Sequence, residues 1–224
     1  MKGLWVNWNY KEESGSYPTF NEVYLNFSWC KKIPDIKEIS QYITKCRNNF
    51  HKVYITVTCF ADLDTKRTML DIKQDIKVYS KVADGISLDY IRYKNMSLSN
   101  LFNTDRIIEV LEYTKQHTNR IKIAVFPFYN SFMYGQNYFQ LQKYGTLQPM
   151  LYAQDMFGRT TYQTQKWTRW IIRISNLLFP KSEPCLQGWN EPLKNNNRTM
   201  IDLIYDKKLV NNYSVFRWNT YKKL

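Results

Sequence analysis

Asp89 is the residue around which chemistry could be organised. It lies in the run Asp84-Gly85-Ile86-Ser87-Leu88-Asp89-Tyr90-Ile91-Arg92-Tyr93. Strand side chains alternate, so Ser87, Asp89 and Ile91 share one face of this run and Ile86, Leu88 and Tyr90 the other. An acid turned inward near the carboxyl end of a strand is expensive to bury without partners. Its ordinary role would be an ion pair with Arg92; its chemical role would be nucleophile or general acid. Acid–base or nucleophilic catalysis by such an acid commonly needs a second carboxylate within ~10 Å. Asp155, after Tyr152-Ala153-Gln154, and Glu191, after Trp189-Asn190, are the candidates. Each also has an ordinary reading, Asp155 as a turn acid and Glu191 as a residue before Pro192 near a helix start. Asp62 and Asp64 fit turn or cap chemistry better.

The remaining inward positions are polar or aromatic: Trp5 and Asn7, Tyr24 and Asn26, Thr56 and Thr58, Tyr152, and Arg217 or Trp218. Hydroxyls and amides bind sugar hydroxyls directionally, and rings stack on the pyranose C–H face. Trp5, Asn7, Asn26, Arg92, Tyr152, Trp189, Arg217 and Trp218 are therefore the candidate substrate-binding residues. The competing reading is that such groups only satisfy one another inside a polar barrel.

The elements that would position these residues alternate. Strand-like runs occupy 3–9, 22–28, 52–60, 85–92, 121–128, 148–154, 185–190 and 213–219. Several are nearly continuous apolar runs, as in strands covered on both faces of a parallel sheet. Helical stripes lie between them. Ile36, Ile39, Ile43, Cys46 and Phe50 mark one, opening near Pro34-Asp35. Ile72, Ile76, Tyr79 and Ala83 mark a second. Ile107, Leu111 and Thr114 mark a third, with Asn103 as N-cap. Trp167, Trp170, Ile171, Ile174, Leu177 and Leu178 mark a fourth. Eight such alternations, about one per ~28 residues, predict a single α/β domain over 1–224, a (β/α)8 barrel. The stretch 10–21 carries Ser-Gly-Ser and Tyr-Pro, so the first helix is expected to be short or missing. A doubly wound sheet is the competitor, but no glycine-rich phosphate loop follows any strand, and no cofactor is expected.

The fourth run resembles the fourth strand of glycoside-hydrolase-like barrels, D-G-[IV]-x-[LF]-D-Y-[IV]-R-[YF], distant relatives of family 18 chitinases. Gln148-Pro149-Met150-Leu151-Tyr152 resembles the sixth-strand P-M-x-Y signature of the same group. The resemblance implies a barrel that acts on carbohydrate, with Met150 and Tyr152 inward. Family 18 enzymes read D-G-x-D-x-D-x-E in the fourth strand, and the final Glu is their general acid. Here Ser87 and Ile91 stand at two of the acidic positions, so the substrate-assisted chitinase mechanism does not carry over. Of the two partners for Asp89, strand parity favours Glu191, which shares a face with Gln187 and Trp189. The resemblance favours Asp155, because the fourth and sixth strands of such barrels face one subsite, and Asp155 is the choice made.

Composition bounds the partners. The 224 residues carry a net charge of +13, with 44 % hydrophobic, 23 % charged and 17 % aromatic residues, and the pI is about 9.5. An anionic partner is favoured: nucleic acid, cell-wall polymer or membrane surface. Lys and Arg are spread over the chain and no nucleic-acid-binding motif occurs, so no specific nucleic-acid site is expected. The cysteines, Cys30, Cys46, Cys59 and Cys185, form no C-x-x-C pair, and the histidines are His51 and His117 only. Buried free thiols and no metal site are expected. There is no signal-peptide pattern and no run long enough to span a bilayer. The chain is expected to be cytoplasmic when made, an excised domain, or released by another route. A lysin encoded by a virus or prophage would fit its size and charge. The leading expectation is a glycosidase acting on a polysaccharide or cell-wall glycan. The rivals are a barrel that binds glycan without cleaving it, and a basic nucleic-acid-binding protein.

Overall fold

The computed structural model describes residues 2–7, 20–27, 34–60, 67–152, 161–187 and 212–216. The eight strands are β1 (Lys2–Asn7), β2 (Glu22–Asn26), β3 (Lys52–Thr58), β4 (Gly85–Asp89), β5 (Ile121–Val125), β6 (Thr146–Leu151), β7 (Cys185–Gln187) and β8 (Tyr213–Phe216). All pair in parallel with their chain neighbours, and β8 pairs with β1 to close the barrel. This is the (β/α)8 architecture expected from the alternation. The β1–β2 connection, where a short or missing helix is expected, lies outside the described residues.

Each strand buries both faces. Outward residues such as Leu4, Val23, Leu25, Val53, Ile55, Ile86, Leu88 and Ile123 join one large core with the helices. Inward residues Trp5, Tyr24, Tyr54, Ala124 and Cys185 form a second cluster inside the barrel, with Met150 and Tyr152 packed on it. Hydrophobic burial on both sides explains why the strands read as apolar runs rather than as strict alternation.

Helices α1 (Ile36–Cys46), α2 (Met69–Tyr79) and α3 (Asp105–His117) follow β2, β3 and β4. The Asp35 carboxylate accepts from the amides of Lys37 and Glu38, and Glu38 reaches back to the Asp35 amide, so α1 starts with a capping box. Thr68 and Asp71 do the same for α2. The α3 cap differs from expectation. Thr104 occupies the position without capping the helix amides, its hydroxyl donating to Gln140 instead, while Asn103 accepts from the Tyr93 hydroxyl. Two single turns, α4 (Phe128–Ser131) and α5 (Tyr138–Leu141), follow β5. In α6 (Thr161–Leu178) the buried face is Trp167, Thr168, Ile171, Ile172 and Ser175, while Trp170 and Leu177 are exposed. The expected apolar stripe is thus rotated toward small polar residues. No helix among the described residues is long and apolar enough to cross a membrane.

Two motif residues hold the amino end of β4. The Asp84 carboxylate accepts from the Val53 amide at 2.8 Å and pairs with Arg47 at 3.1 Å. A Cβ at Gly85 would stand 2.5 Å from both the Arg120 carbonyl oxygen and the Tyr54 ring. We expect Gly85→Ala to lower stability by about 1–3 kcal/mol through overpacking. Urea unfolding measures it, and an unchanged midpoint would show that β4 and β5 can separate without penalty.

Candidate functional site

Asp89 ends β4 and is 6 % exposed. It lies in register with Thr58 on β3. One layer below, Asn26, Thr56 and Ser87 stand in register across β2, β3 and β4. The hydroxyls of Thr56 and Ser87 are buried and make no hydrogen bond among the described residues. Below these, Trp5, Tyr24 and Tyr54 stack with centroids 5.1 and 5.2 Å apart. The acid therefore caps a column whose upper layer is polar and whose middle is aromatic.

The pleat stops at Asp89. Tyr90 has φ 52°, the one positive-φ residue other than glycine among those described, and its amide donates to the Asp89 carboxylate at 2.8 Å. A bulky residue in the left-handed region carries strain, and such outliers cluster at functional sites. The consequence for Ile91 is a correction. The alternation expects it inward beside Asp89, but it is fully buried in the core outside the barrel. Arg92 comes to the mouth instead, with its guanidinium 4.3 Å from the Tyr90 ring centroid and 4.5 Å from that of Phe126. Gln136, fully buried, donates to the carbonyls of Ile91 and Ala124 and accepts from the Phe126 amide, so it fixes the ends of β4 and β5. Nothing in its sequence context marks that role; it becomes visible only once the two strand ends are adjacent.

Burial raises the Asp89 carboxyl above its usual range, against the opposing pull of the Arg92 charge and the Tyr90 amide bond. Tyr152 shares a hydrogen bond with the Cys185 thiol at 3.2 Å. Burial, with smaller contributions from Cys185, Asp89 and Tyr90, pushes the Tyr152 phenol well above its ordinary value. The phenol and the buried carboxyl interact electrostatically, and together they place polar groups at this end of the barrel.

The structure brings together Asp89, Arg92, Asn26 and Tyr152 at or just beneath the carboxyl ends of the strands. Trp5 is 2 % exposed, stacked on Tyr24, with its indole N–H donating to the Ser214 hydroxyl at 3.4 Å; it fills the barrel rather than lining its mouth. Asn7 stands in register with Asn26 at the end of β1. Asp155, Glu191, Trp189, Arg217 and Trp218 lie outside the described residues.

A second polar cluster occupies the opposite end of the barrel and was not singled out from sequence. Lys122 bonds Glu183 at 2.5 Å and Glu22 at 3.3 Å, Lys52 reaches Glu22 at 3.4 Å, and the Tyr24 hydroxyl donates to Glu22 at 2.7 Å. Burial raises the Glu22 carboxyl, but Lys122, the Tyr24 bond and Lys52 together bring it below its ordinary value. The signal was a lysine inside the apolar run Ile121-Lys122-Ile123, which needs a buried acid. Groups at this end of a barrel serve stability rather than catalysis.

No family model matches the chain, and no curated protein matches it. Solved structures do. A family 18 chitinase from Crocus vernus superposes with a TM-score of 0.55 at 10 % identity, over 96 % of this chain and 92 % of that one. N-acetylneuraminate lyase from Fusobacterium nucleatum gives a TM-score of 0.48 at 11 % identity, over 88 % of this chain and 57 % of that one. The chain is thus a closed barrel of eight parallel strands, similar in fold to a family 18 chitinase.

Proposed function

We propose that this barrel is a glycoside hydrolase acting on a polysaccharide or cell-wall glycan, with Asp89 as its proton donor. The observation that carries the reading is Asp89 itself. It is a buried acid at the carboxyl end of β4, held above the usual carboxylate range, beside Arg92. Barrel enzymes place their chemistry at this end, and a carboxyl raised by burial suits the general acid. Asp89 would protonate the glycosidic oxygen as the C–O bond breaks. A second carboxylate, Asp155 by preference and otherwise Glu191, would attack the anomeric carbon or activate water on the opposite face. Arg92, Asn26 and Tyr152 would hold sugar hydroxyls, while Trp189, Arg217 and Trp218 remain proposed contacts.

The test compares Asp155→Asn with Glu191→Gln on an activated glycoside, with azide added. Loss of turnover in Asp155→Asn, with azide rescue if the reaction retains configuration, supports the assignment. Loss in Glu191→Gln alone transfers the role to Glu191.

A pH profile gives an independent check. The Arg92 charge pulls the Asp89 carboxyl down, so Arg92→Met should raise it further. A general acid works while protonated, so the alkaline limb of the kcat/KM profile should move to higher pH. A limb that stays put or moves down would separate Arg92 from the acid.

One observation favours a second reading, a barrel that binds glycan without cleaving it. At the position where the resemblance expects the chitinase acid stands Ile91, buried in the outer core. Saturable oligosaccharide binding with no release of reducing ends would support that reading instead.

A further inference from the structure

Arg92 follows the end of β4, half-buried at the mouth of the barrel beside Asp89. Its guanidinium lies 4.3 Å from the centroid of the Tyr90 ring and 4.5 Å from that of Phe126. Phe126 packs in turn on Tyr134, with centroids 4.6 Å apart. Rings that follow β4 and β5 thus hold one planar cation in place.

A cation–π contact steadies the charge but uses none of the N–H groups. A guanidinium has five of them in a fixed fork. Among the described residues the Tyr90 side chain is the one hydrogen-bonding neighbour of the group, and Arg92 forms no ion pair. A charged donor partly withdrawn from water ordinarily finds acceptors. The nearby acids do not provide them. The Asp89 carboxyl accepts from the Tyr90 amide, and burial favours its neutral form. The run from Tyr90 to Arg106 carries Arg92, Lys94 and Arg106 against Asp105 alone. The β5–β6 connection, which packs on Arg92 through Phe126, has no charged residue from Phe126 to Gln142. The guanidinium is therefore held by rings, with most of its donors unused and little counter-charge on the segments around it.

We propose, on the hydrolase reading of Asp89, that Arg92 is the subsite for an oxyanion of the glycan. The substrate is then an acidic polymer, with a carboxylate or phosphate on or next to the sugar whose bond is cleaved. An oxyanion takes two parallel N–H bonds from the fork, shorter and stronger than those a neutral hydroxyl takes. It also brings the counter-charge that the surrounding segments lack. The net charge of +13 works in the same direction, drawing a polyanion in from a distance.

Isothermal titration calorimetry on the full chain tests it, at about 0.15 M salt so that diffuse attraction is screened. Every protein carries Asp89→Asn, so nothing is cleaved and any effect of that change is common to all. The probes are polygalacturonate fragments against their methyl esters, and teichoic-acid-bearing peptidoglycan fragments against the same fragments stripped of phosphate. At least one acidic probe should bind ~10-fold or more tightly than its neutral form, and which one does so identifies the oxyanion. Adding Arg92→Gln should erase that preference and leave the neutral form bound as before. Arg92→Lys, which keeps the charge and loses the fork, should retain only part of it, and it carries the test if Arg92→Gln does not fold. Lys115→Gln removes the same charge from the last turn of α3 and should leave the preference intact. Three results overturn the proposal while the hydrolase reading stands: equal affinity for acidic and neutral forms, a preference that survives Arg92→Gln, or equal losses in Arg92→Gln and Lys115→Gln. Binding of no probe in either form removes both.

Discussion

Asp89→Asn is expected to abolish glycan hydrolysis while leaving the protein folded and at least as stable as its parent. The catalytic half follows from the proposed role. An amide cannot deliver the proton, and losing a general acid or nucleophile should cost on the order of 10³-fold or more in turnover, about 4 kcal/mol in the barrier. The stability half follows from burial. The Asp89 carboxyl is held above its usual value in the fold. The folded state is therefore penalised at every pH where the unfolded chain would ionise the group. That penalty is absent below the unfolded value of ~3.9 and complete once the pH passes the folded value. Asparagine removes it and can still accept the Tyr90 amide bond. Functional residues often sit where they are worst for stability. Turnover retained in a normally folded Asp89→Asn would remove this residue from the mechanism, and a lowered melting temperature would mean the carboxylate serves the fold.

Lys122→Met is expected to have the largest effect on stability. It leaves Glu22 and Glu183, 1 % and 7 % exposed, facing each other without the cation between them. Breaking a buried pair by deleting one partner typically costs about 3–5 kcal/mol. The pH dependence has a definite sign. In the parent, Glu22 titrates below its ordinary value, so its stabilising contribution is present above the unfolded value and fades as pH falls through the folded one. In the variant the Glu22 carboxyl loses the pull of Lys122, burial dominates, and its protonation in acid relieves the repulsion. The stability gap should thus be wide at about pH 7 and narrow at about pH 4. Urea unfolding of both proteins at the two pH values checks this, and a gap that widens in acid would contradict the assignment.

The barrel was legible because its strands are buried on both faces and its helices on one, which leaves short apolar runs alternating with helical stripes along the chain. Parity placed Asp89 inward correctly and failed two residues later, because Tyr90 turns left-handed and resets the alternation. The buried face of α6 was misjudged because Thr168 and Ser175, both buried, carry no apolar signal, while Trp170 and Leu177 do. The charged cluster at the amino end was missed for another reason. Glu22, Lys122 and Glu183 are far apart in sequence, and only closure of the barrel makes them neighbours. Gln136 belongs with them, since its partners are backbone groups on two strands that only the fold brings together. What sequence captures is each element's own pattern; what it conceals is the meeting of single residues from separate elements.

The claim that Asp89 serves a glycan hydrolase is tested most directly by digesting a cell-wall or polysaccharide preparation in heavy-oxygen water. Mass spectrometry of the released fragments reads the result. The account predicts fragments from the wild-type protein that carry one heavy oxygen at each new reducing end, and none from Asp89→Asn. Failure to release fragments from any glycan, or release of unlabelled, unsaturated fragments that mark elimination, would contradict it.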